Sequence, residues 1–295
     1  MTGIHQLLFS SVSGARELFT VTFTSSGLWT TPAGVTEITR WLVVAGGGGG
    51  GTSNTGAGGS CGGGAGGFRT GTTPRTAPNL AAPGVNNTIT VGLGGATGDP
   101  GAKGNNSSAF GIVSTGGGGG GRGPAATSNG GNGGSGGGGM AYPSGYSAGT
   151  GNEGGYTPSE GNDGALGASD FSNYTIGGCG GGAKDAASGA LNRAPTNPAL
   201  HGTGGDGQTS NITGVDVDYA GGGGGGGTNQ TYSNANPGPG GAGGGGDGGG
   251  STNYAGFNGT ANTGGGGGGG GGFPYTTQVN GGAGGSGIVI FQYFA

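Results

Sequence analysis

His5 and His201 are the only histidines, and so the only ordinary neutral-pH bases in the chain. His5 sits in the N-terminal stretch and His201 in a loop-like segment with no nucleophile pattern around it, so a nucleophile–base pair has no candidate. The Cys–His spacing of a zinc site is absent. Glu153, Glu160, Asp163 and Asp170 share one glycine-bounded segment. Glycosidases hold two carboxyls on a rigid cleft, and acids in such a segment read as solvated loop residues. Asp216, Asp218 or the Glu160/Asp163 pair fall short of the roughly six to eight oxygens that calcium takes. Matches to G-x-G-x-x-G occur wherever glycine is dense, with no helix to follow them, so a phosphate-binding loop is not indicated. The chain is expected to have no catalytic residues, no metal and no cofactor, and not to be an enzyme.

The aromatic residues carry more information. Tyr142, Tyr146, Tyr156, Phe171, Tyr174, Tyr232, Tyr254, Phe257, Phe273 and Tyr275 lie between glycine runs, mixed with Ser, Asn, Gly and Thr. This is the composition of antibody paratopes. There, tyrosine gives a large contact area at a small entropic cost, and Ser and Asn adapt by hydrogen bonding. These ten residues are the candidate contact residues of a binding surface. The same rings could instead cap the scaffold as small hydrophobic clusters, and both readings stay open.

The scaffold must come from glycine, which supplies 94 of 295 residues. Collagen is excluded because the glycines come in solid runs and only 13 residues are proline. Disordered chains carry many charges and few aromatics. Here 7% of residues are charged and 7% are aromatic, which leaves a flexible Gly/Ser linker as the disordered alternative. Polyglycine II is the ordered solution. It is a three-residue left-handed helix with a rise of about 3.1 Å and no internal hydrogen bonds. Its outward N–H and C=O groups must bond to neighbours, and the absence of side chains lets neighbours come close enough. Runs at 46–51, 116–121, 136–139, 180–182, 221–227, 243–246 and 264–272 fit such rods. The last would span about 28 Å. Their irregular spacing excludes a fixed-period solenoid.

Ordinary strands flank this material. Phe19, Val21 and Phe23 alternate with threonines, the period of a half-buried strand. The stretch 19–45 reads as a β-hairpin turning at 27–34, with its second strand at 35–44. Residues 88–91, 108–114 and 287–294 read as further strands, with a turn at Asp99-Pro100-Gly101. The expected fold is mostly β plus polyglycine II, with no α-helices of note. A small β platform is formed by the N- and C-terminal strands, and a bundle of packed polyglycine II helices is joined by long loops. The expected divisions are a leader at 1–18, a platform with the first rods at 19–121 plus 281–295, and a rod bundle with variable loops at 122–280.

Residues 1–122 hold six basic and three acidic side chains, whereas 123–280 hold two and nine. No basic run exists, so nucleic acid is not an expected partner. The N-terminus lacks the basic region and apolar length of a signal peptide. No apolar run is long enough to span a bilayer. Synthesis in a cytoplasm without membrane insertion is expected. Cys61 and Cys179 are too few for a disulfide framework and lie beside glycine runs. They read as small fillers of packing positions, and whether they are bonded stays open.

The segment Phe23-Thr24, Gly27-Leu28-Trp29-Thr30-Thr31-Pro32-Ala33-Gly34-Val35 and Leu42-Val43-Val44-Ala45 before glycines 46–51 resembles the opening of the glycine-rich domain of phage tail proteins. Ile89-Thr90-Val91-Gly92-Leu93-Gly94-Gly95, Asn106-Ser107-Ser108-Ala109-Phe110-Gly111 and Gly284-Gly285-Ser286-Gly287-Ile288-Val289-Ile290 resemble its later signposts. The matching parts are 19–121 and 281–295. Gly3-Ile4-His5-Gln6-Leu7-Leu8 is similar to leaders of phage tail proteins. The segment 122–280 is similar in composition to the polyglycine adhesins at the fibre tips of T-even phages. The resemblance implies a virion component at a tail fibre or tail tip. It would join other tail subunits through its N-terminal region and contact a host receptor, an outer-membrane protein or a polysaccharide. A purely structural tail or baseplate protein is the alternative. An ice-binding protein of stacked left-handed helices would need a regular tripeptide period presenting one flat face, and the sequence lacks one.

Overall fold

The computed structural model describes residues 16–53, 59–71, 80–122, 129–140, 146–169, 174–189, 202–229, 237–250, 255–272 and 278–295. Among these residues there are strands and no helix.

Apolar β-branched and aromatic residues make one four-stranded antiparallel sheet. Its members are β1 (Leu18–Phe23), β3 (Arg40–Val44), β4 (Phe68–Gly71) and β13 (Ile288–Phe294), in the order β1-β13-β3-β4. Leu18 faces Phe294, Phe23 faces Val289, and Leu42 faces Ile290. The hairpin expected over 19–45 is therefore corrected. β1 and β3 do not pair, because the last strand of the chain lies between them. The residues from Thr31 to Thr39 leave the strand instead. Gly34 takes a φ of +80° that favours glycine, and Val35 and Ile38 turn inward as a buried plug.

Period-two alternation puts the two sets of sheet side chains into two cores. Val21, Phe23, Val43, Val289, Phe291 and Tyr293 face one way, against Trp29, Ile89, Phe110 and Ile112. Trp29 and Phe110 meet the Phe291 ring edge-on, each with a centroid separation of 4.9 Å. Leu42, Val44, Phe68, Ile288 and Ile290 face the other way, against Ile212, Tyr219 and Ala220. A sheet covered on both faces explains why β13 is buried from Ile288 to Tyr293. The first cover is β2 (Gly27–Thr30) paired with β5 (Asn86–Ile89), together with the hairpin β6 (Ser107–Ala109) and β7 (Ile112–Ser114). The single strand expected over 108–114 is thus two strands. Phe110 and Gly111 both have positive φ and turn the chain between them. The second cover is the hairpin β10 (Gln208–Ser210) and β11 (Val217–Tyr219). The short strands β8 (Ala168–Ser169), β9 (Tyr174–Ile176) and β12 (Gly227–Asn229) form a separate three-stranded sheet.

Between these pieces the glycine tracts bond to one another. Residues 45–53 show the rule. The N–H groups of Gly46 and Gly49 donate to Asn105 and Ala102, those of Gly47 and Gly50 to Gly285 and Gly282, and those of Gly48 and Gly51 to Gly64 and Cys61. Partner numbers fall as donor numbers rise, so these three neighbours are antiparallel. The carbonyls of Gly46 and Gly49 accept from Gly117 and Gly120, those of Gly48 and Gly51 from Gly267 and Gly270, and that of Gly47 from Gly95. For the first two of these neighbours the numbers rise together, so they run parallel to the central tract. One tract is thus bonded to six others, with a direction of bonding that recurs every third residue and N···O distances of 2.8–3.1 Å. At most positions within the tract only glycine permits this spacing. A Cβ on Gly47, Gly48 or Gly49 would stand 2.1 Å from a neighbouring carbonyl oxygen.

Surface tracts lack a neighbour on one side, and Asn and Asp side chains stand in for it. The Oδ1 atoms of Asn106, Asn129, Asn132, Asp163, Asp206, Asp247 and Asn258 accept from the backbone N–H of Gly116, Ser147, Thr150, Gly151, Ala242, Gly240 and Ala283, at 2.7–2.9 Å. In four of these, the glycine after the Asx residue closes a clasp by donating its own N–H to the carbonyl of the same gripped residue. Gly130 donates to Ser147, Gly133 to Thr150, Gly207 to Ala242 and Gly259 to Ala283. Asn132→Ala removes one such acceptor at an exposed position. It is expected to lower stability by only about 0.5–1 kcal/mol, read as a small shift of the urea midpoint at constant m.

Candidate functional site

The tracts leave the four-stranded sheet or its covering hairpin and return alternately. Residues 45–53 lead out of β3 and 59–67 lead back into β4; 115–122 lead out of β7 and 279–287 lead back into β13. At the end remote from the sheet, one continuous chain of backbone hydrogen bonds joins the tract termini. It runs Gly177→Gly226→Ser60→Gly270→Gly51→Cys61→Gly121→Gly138, each N–H donating to the next carbonyl. The described residues on both sides of 54–58, 123–128, 141–145, 170–173, 230–236 and 273–277 border this level. Gly249, beside 251–254, donates to Gly269 one step away, and Thr203 binds Ser188 across 190–201. The described residues that flank these intervals therefore lie at one level of the molecule, while 152–160 and the hairpin β10–β11 lie at the sheet end.

Of the ten aromatic candidates, Tyr142, Phe171, Tyr232, Tyr254, Phe273 and Tyr275 lie outside the described residues. Tyr174 belongs to β9, opposite Asn229 of β12. Tyr146 stands at the remote end, next to Ser147, whose carbonyl accepts from Gly130. Phe257 is 51% exposed on the flank of the remote half, with its N–H bonded to Asp247 and its carbonyl to Gly268. Tyr156 is placed at the opposite end. The Arg69 guanidinium of β4 lies 3.8 Å from its ring centroid while donating to the Val113 carbonyl. That geometry makes the ring part of the fastening of 152–160 to the sheet.

The acids expected in one solvated segment divide. Glu153 pairs with Lys103. Asp163 is an edge acceptor, as described above, and Asp218 accepts from Thr209. Asp170 and His201 lie outside the described residues, as does His5. Glu160 is a correction to the solvated reading, because it is fully buried. Its Oε2 accepts from the Thr115 N–H at 2.9 Å and lies 3.3 Å from Ser114 Oγ, which itself donates to the Gly67 carbonyl. Its backbone carbonyl holds the Phe68 N–H at the start of β4. The residue is thus a pin between β4, β7 and the segment after Tyr156. Glu160→Ala would leave the Thr115 N–H buried without an acceptor and is expected to destabilise by about 1–3 kcal/mol, measured by urea unfolding. Among the described residues no three His, Cys, Asp or Glu side chains converge as a metal site would require.

Cys61 and Cys179 are both free and buried on adjoining tracts, and the Cys179 sulfur accepts from the Gly225 N–H. Burial pushes the Cys61 thiol up to about 12 and the Cys179 thiol up to about 11, from an ordinary 9.0. Backbone hydrogen bonds to the sulfurs only partly offset this. The folded chain keeps both thiol protons where the unfolded chain begins to lose them. The thiol contribution is therefore full below pH 9 and falls as pH rises from 9 toward 11–12. The stability difference between wild type and C61A/C179A should shrink between about pH 8 and about pH 10.5. The same burial predicts that alkylating reagents modify neither thiol until the chain unfolds.

The edge acceptors and the Glu160 pin are what a reading of the sequence missed. The signal for the first was present, because the Asn-Gly and Asp-Gly dipeptides fall outside any hairpin of alternating residues. No signal marked Glu160, whose neighbours in sequence are ordinary loop residues.

A search of curated proteins finds no match to the chain. The family model described as a glycine-rich domain matches residues 21–294. That span runs from within β1 to the end of β13 and takes in every tract between them, so the chain belongs to the glycine-rich domain family.

Proposed function

We propose that the glycine tracts are polyglycine II helices, that the four-stranded sheet is the platform from which they rise, and that the whole is a recognition component at a phage tail fibre or tail tip. The three-residue recurrence of hydrogen-bond direction and the six-neighbour packing support the helix assignment. The observation that carries the functional reading is the common level of the described residues that flank 54–58, 123–128, 141–145, 170–173, 230–236 and 273–277. A stiff array that opens many sequence intervals on one side suits display, and those intervals are rich in Tyr, Phe, Asn, Ser and Thr. Tyr142, Tyr146, Phe171, Tyr174, Tyr232, Tyr254, Phe257, Phe273 and Tyr275 are the contact residues of this reading. Tyr156, held by Arg69 at the sheet end, is not among them. The N-terminal region joins other tail subunits, and the partner at the remote end is a host outer-membrane protein or polysaccharide.

The experiment is adsorption of virions carrying Tyr146→Ser and Phe257→Ser to the bacteria they infect, with antibody labelling of the particles. Labelled tail ends with adsorption lowered at least about tenfold support the proposal. Labelled tail ends with normal adsorption would favour a purely structural tail or baseplate protein. Label on capsids, or on no particle, would remove the virion reading altogether.

A further inference from the structure

The chain contains four Asn-Gly dipeptides: Asn129-Gly130, Asn132-Gly133, Asn258-Gly259 and Asn280-Gly281. Three are closed clasps. In each, the asparagine Oδ1 is held by a neighbour's N–H, and the glycine N–H is spent on the same neighbour's carbonyl. Asn280-Gly281 is different. Asn280 is exposed, and among the described residues its side-chain amide has no hydrogen-bond partner. Gly281 is buried beside Gly50 and Gly51, but among the described residues its N–H has no hydrogen-bond partner, whereas the next amide, Gly282, donates to Gly268.

We propose that Asn280 is the Asn-Gly pair most prone to spontaneous deamidation, and that the clasps protect the other three. As Gly281 breathes away from Gly50 and Gly51, its backbone nitrogen gives its proton to solvent base and attacks Asn280 Cγ. A new N–Cγ bond forms, the Cγ–Nδ2 bond breaks, and ammonia leaves. Water then opens the resulting five-membered imide at either carbonyl, giving aspartate or isoaspartate, with no oxidation or reduction. Glycine favours the ring because it has no Cβ to crowd it. In a clasp both reacting groups are tied: the attacking nitrogen must release an acceptor and the amide must rotate off a donor. Reaction therefore waits for local opening. At Asn280 neither of these two hydrogen bonds has to break, so only the packing of Gly281 beside Gly50 and Gly51 has to loosen.

The position has a structural consequence. Val279 is bonded to Ser53, the Asn280 carbonyl to Gly256, and Gly282 to Gly268. Isoaspartate inserts an extra carbon into the backbone between these anchors and disturbs the three-residue register of the final tract at its remote end.

The test is to age the full chain at mildly alkaline pH, natively and in urea, and to map products by peptide mass spectrometry. In the native protein, Asn280 is expected to convert at least about tenfold faster than Asn129, Asn132 and Asn258. In urea, where the clasps are open, the four rates should converge. A native rate at Asn280 no faster than at a clasped asparagine would overturn the proposal. So would a preference for Asn280 that persists unchanged in urea, because local sequence rather than the clasps would then set the pattern.

Discussion

Gly268→Val is expected to destabilise the chain by about 3 kcal/mol or more, at the upper end of what overpacking costs, and to leave little folded protein at ambient temperature. Gly268 is buried in the nine-residue tract, and a Cβ there would stand 1.9 Å from the Asp247 carbonyl oxygen and 2.4 Å from its carbon. The obstacle is backbone, which cannot rotate aside as a side chain would. That backbone is itself fixed, since the Asp247 carbonyl accepts from Phe257 and Gly248 donates to Gly238. Separating the tracts to make room would break the bonds Gly268→Phe257 and Gly282→Gly268, leaving buried groups unpaired at about 1–3 kcal/mol each. Replacing glycine also stiffens the unfolded chain, which favours folding by only about 0.4–1 kcal/mol and does not change the sign. The control is Gly189→Ala. The nearest atom to its added Cβ is 3.5 Å away, so its unfolding free energy from urea titration should stay within about 0.5 kcal/mol of wild type.

Phe291→Ala is expected to cost about 3–5 kcal/mol, the range for deleting a buried aromatic ring. Phe291 is completely buried, and its ring touches Phe23, Trp29 and Phe110. It lies on β13, the strand that both β1 and β3 need as a partner. The cavity would open where the two ends of the chain are joined, so the loss should appear as a lower urea midpoint with no independent unfolding of the tracts. Phe257→Ala removes the same ring from a 51% exposed position and should lower the unfolding free energy by less than about 0.5 kcal/mol.

Particular residues show how far the sequence could be read. The alternation of Phe19, Val21 and Phe23 marks a strand because half-burial requires period two. Alternation says nothing about the partner, however, and the partner is β13, at the far end of the chain. Val35 and Ile38 have the composition of a strand but serve as a plug, because Pro32 and Gly34 bend the chain first. Phe110-Gly111 resembled the middle of one strand, although only a positive-φ pair could turn the hairpin there. Runs of glycine pointed to close backbone packing, since no other residue permits it. Which tract lies beside which depends on register across the whole array, and no local pattern encodes that. Glu160 and Asp163, three residues apart, fell to opposite fates. One is buried as an acceptor for Thr115 and the other closes an exposed edge. Tyr156 and Tyr146 look alike in sequence, and only the alternation of outgoing and returning tracts sends them to opposite ends.

The central claim is that side-chain-free tracts form a rigid array by bonding to one another. Native-state amide hydrogen exchange on the glycines of 46–51, 221–227 and 264–272 tests it most directly. Gly47, Gly48, Gly223 and Gly267, each donating to a buried carbonyl, should exchange as slowly as Val43 and Ile290 in the sheet. Exchange of these amides at the rate of an open chain, with the sheet still protected, would contradict the account.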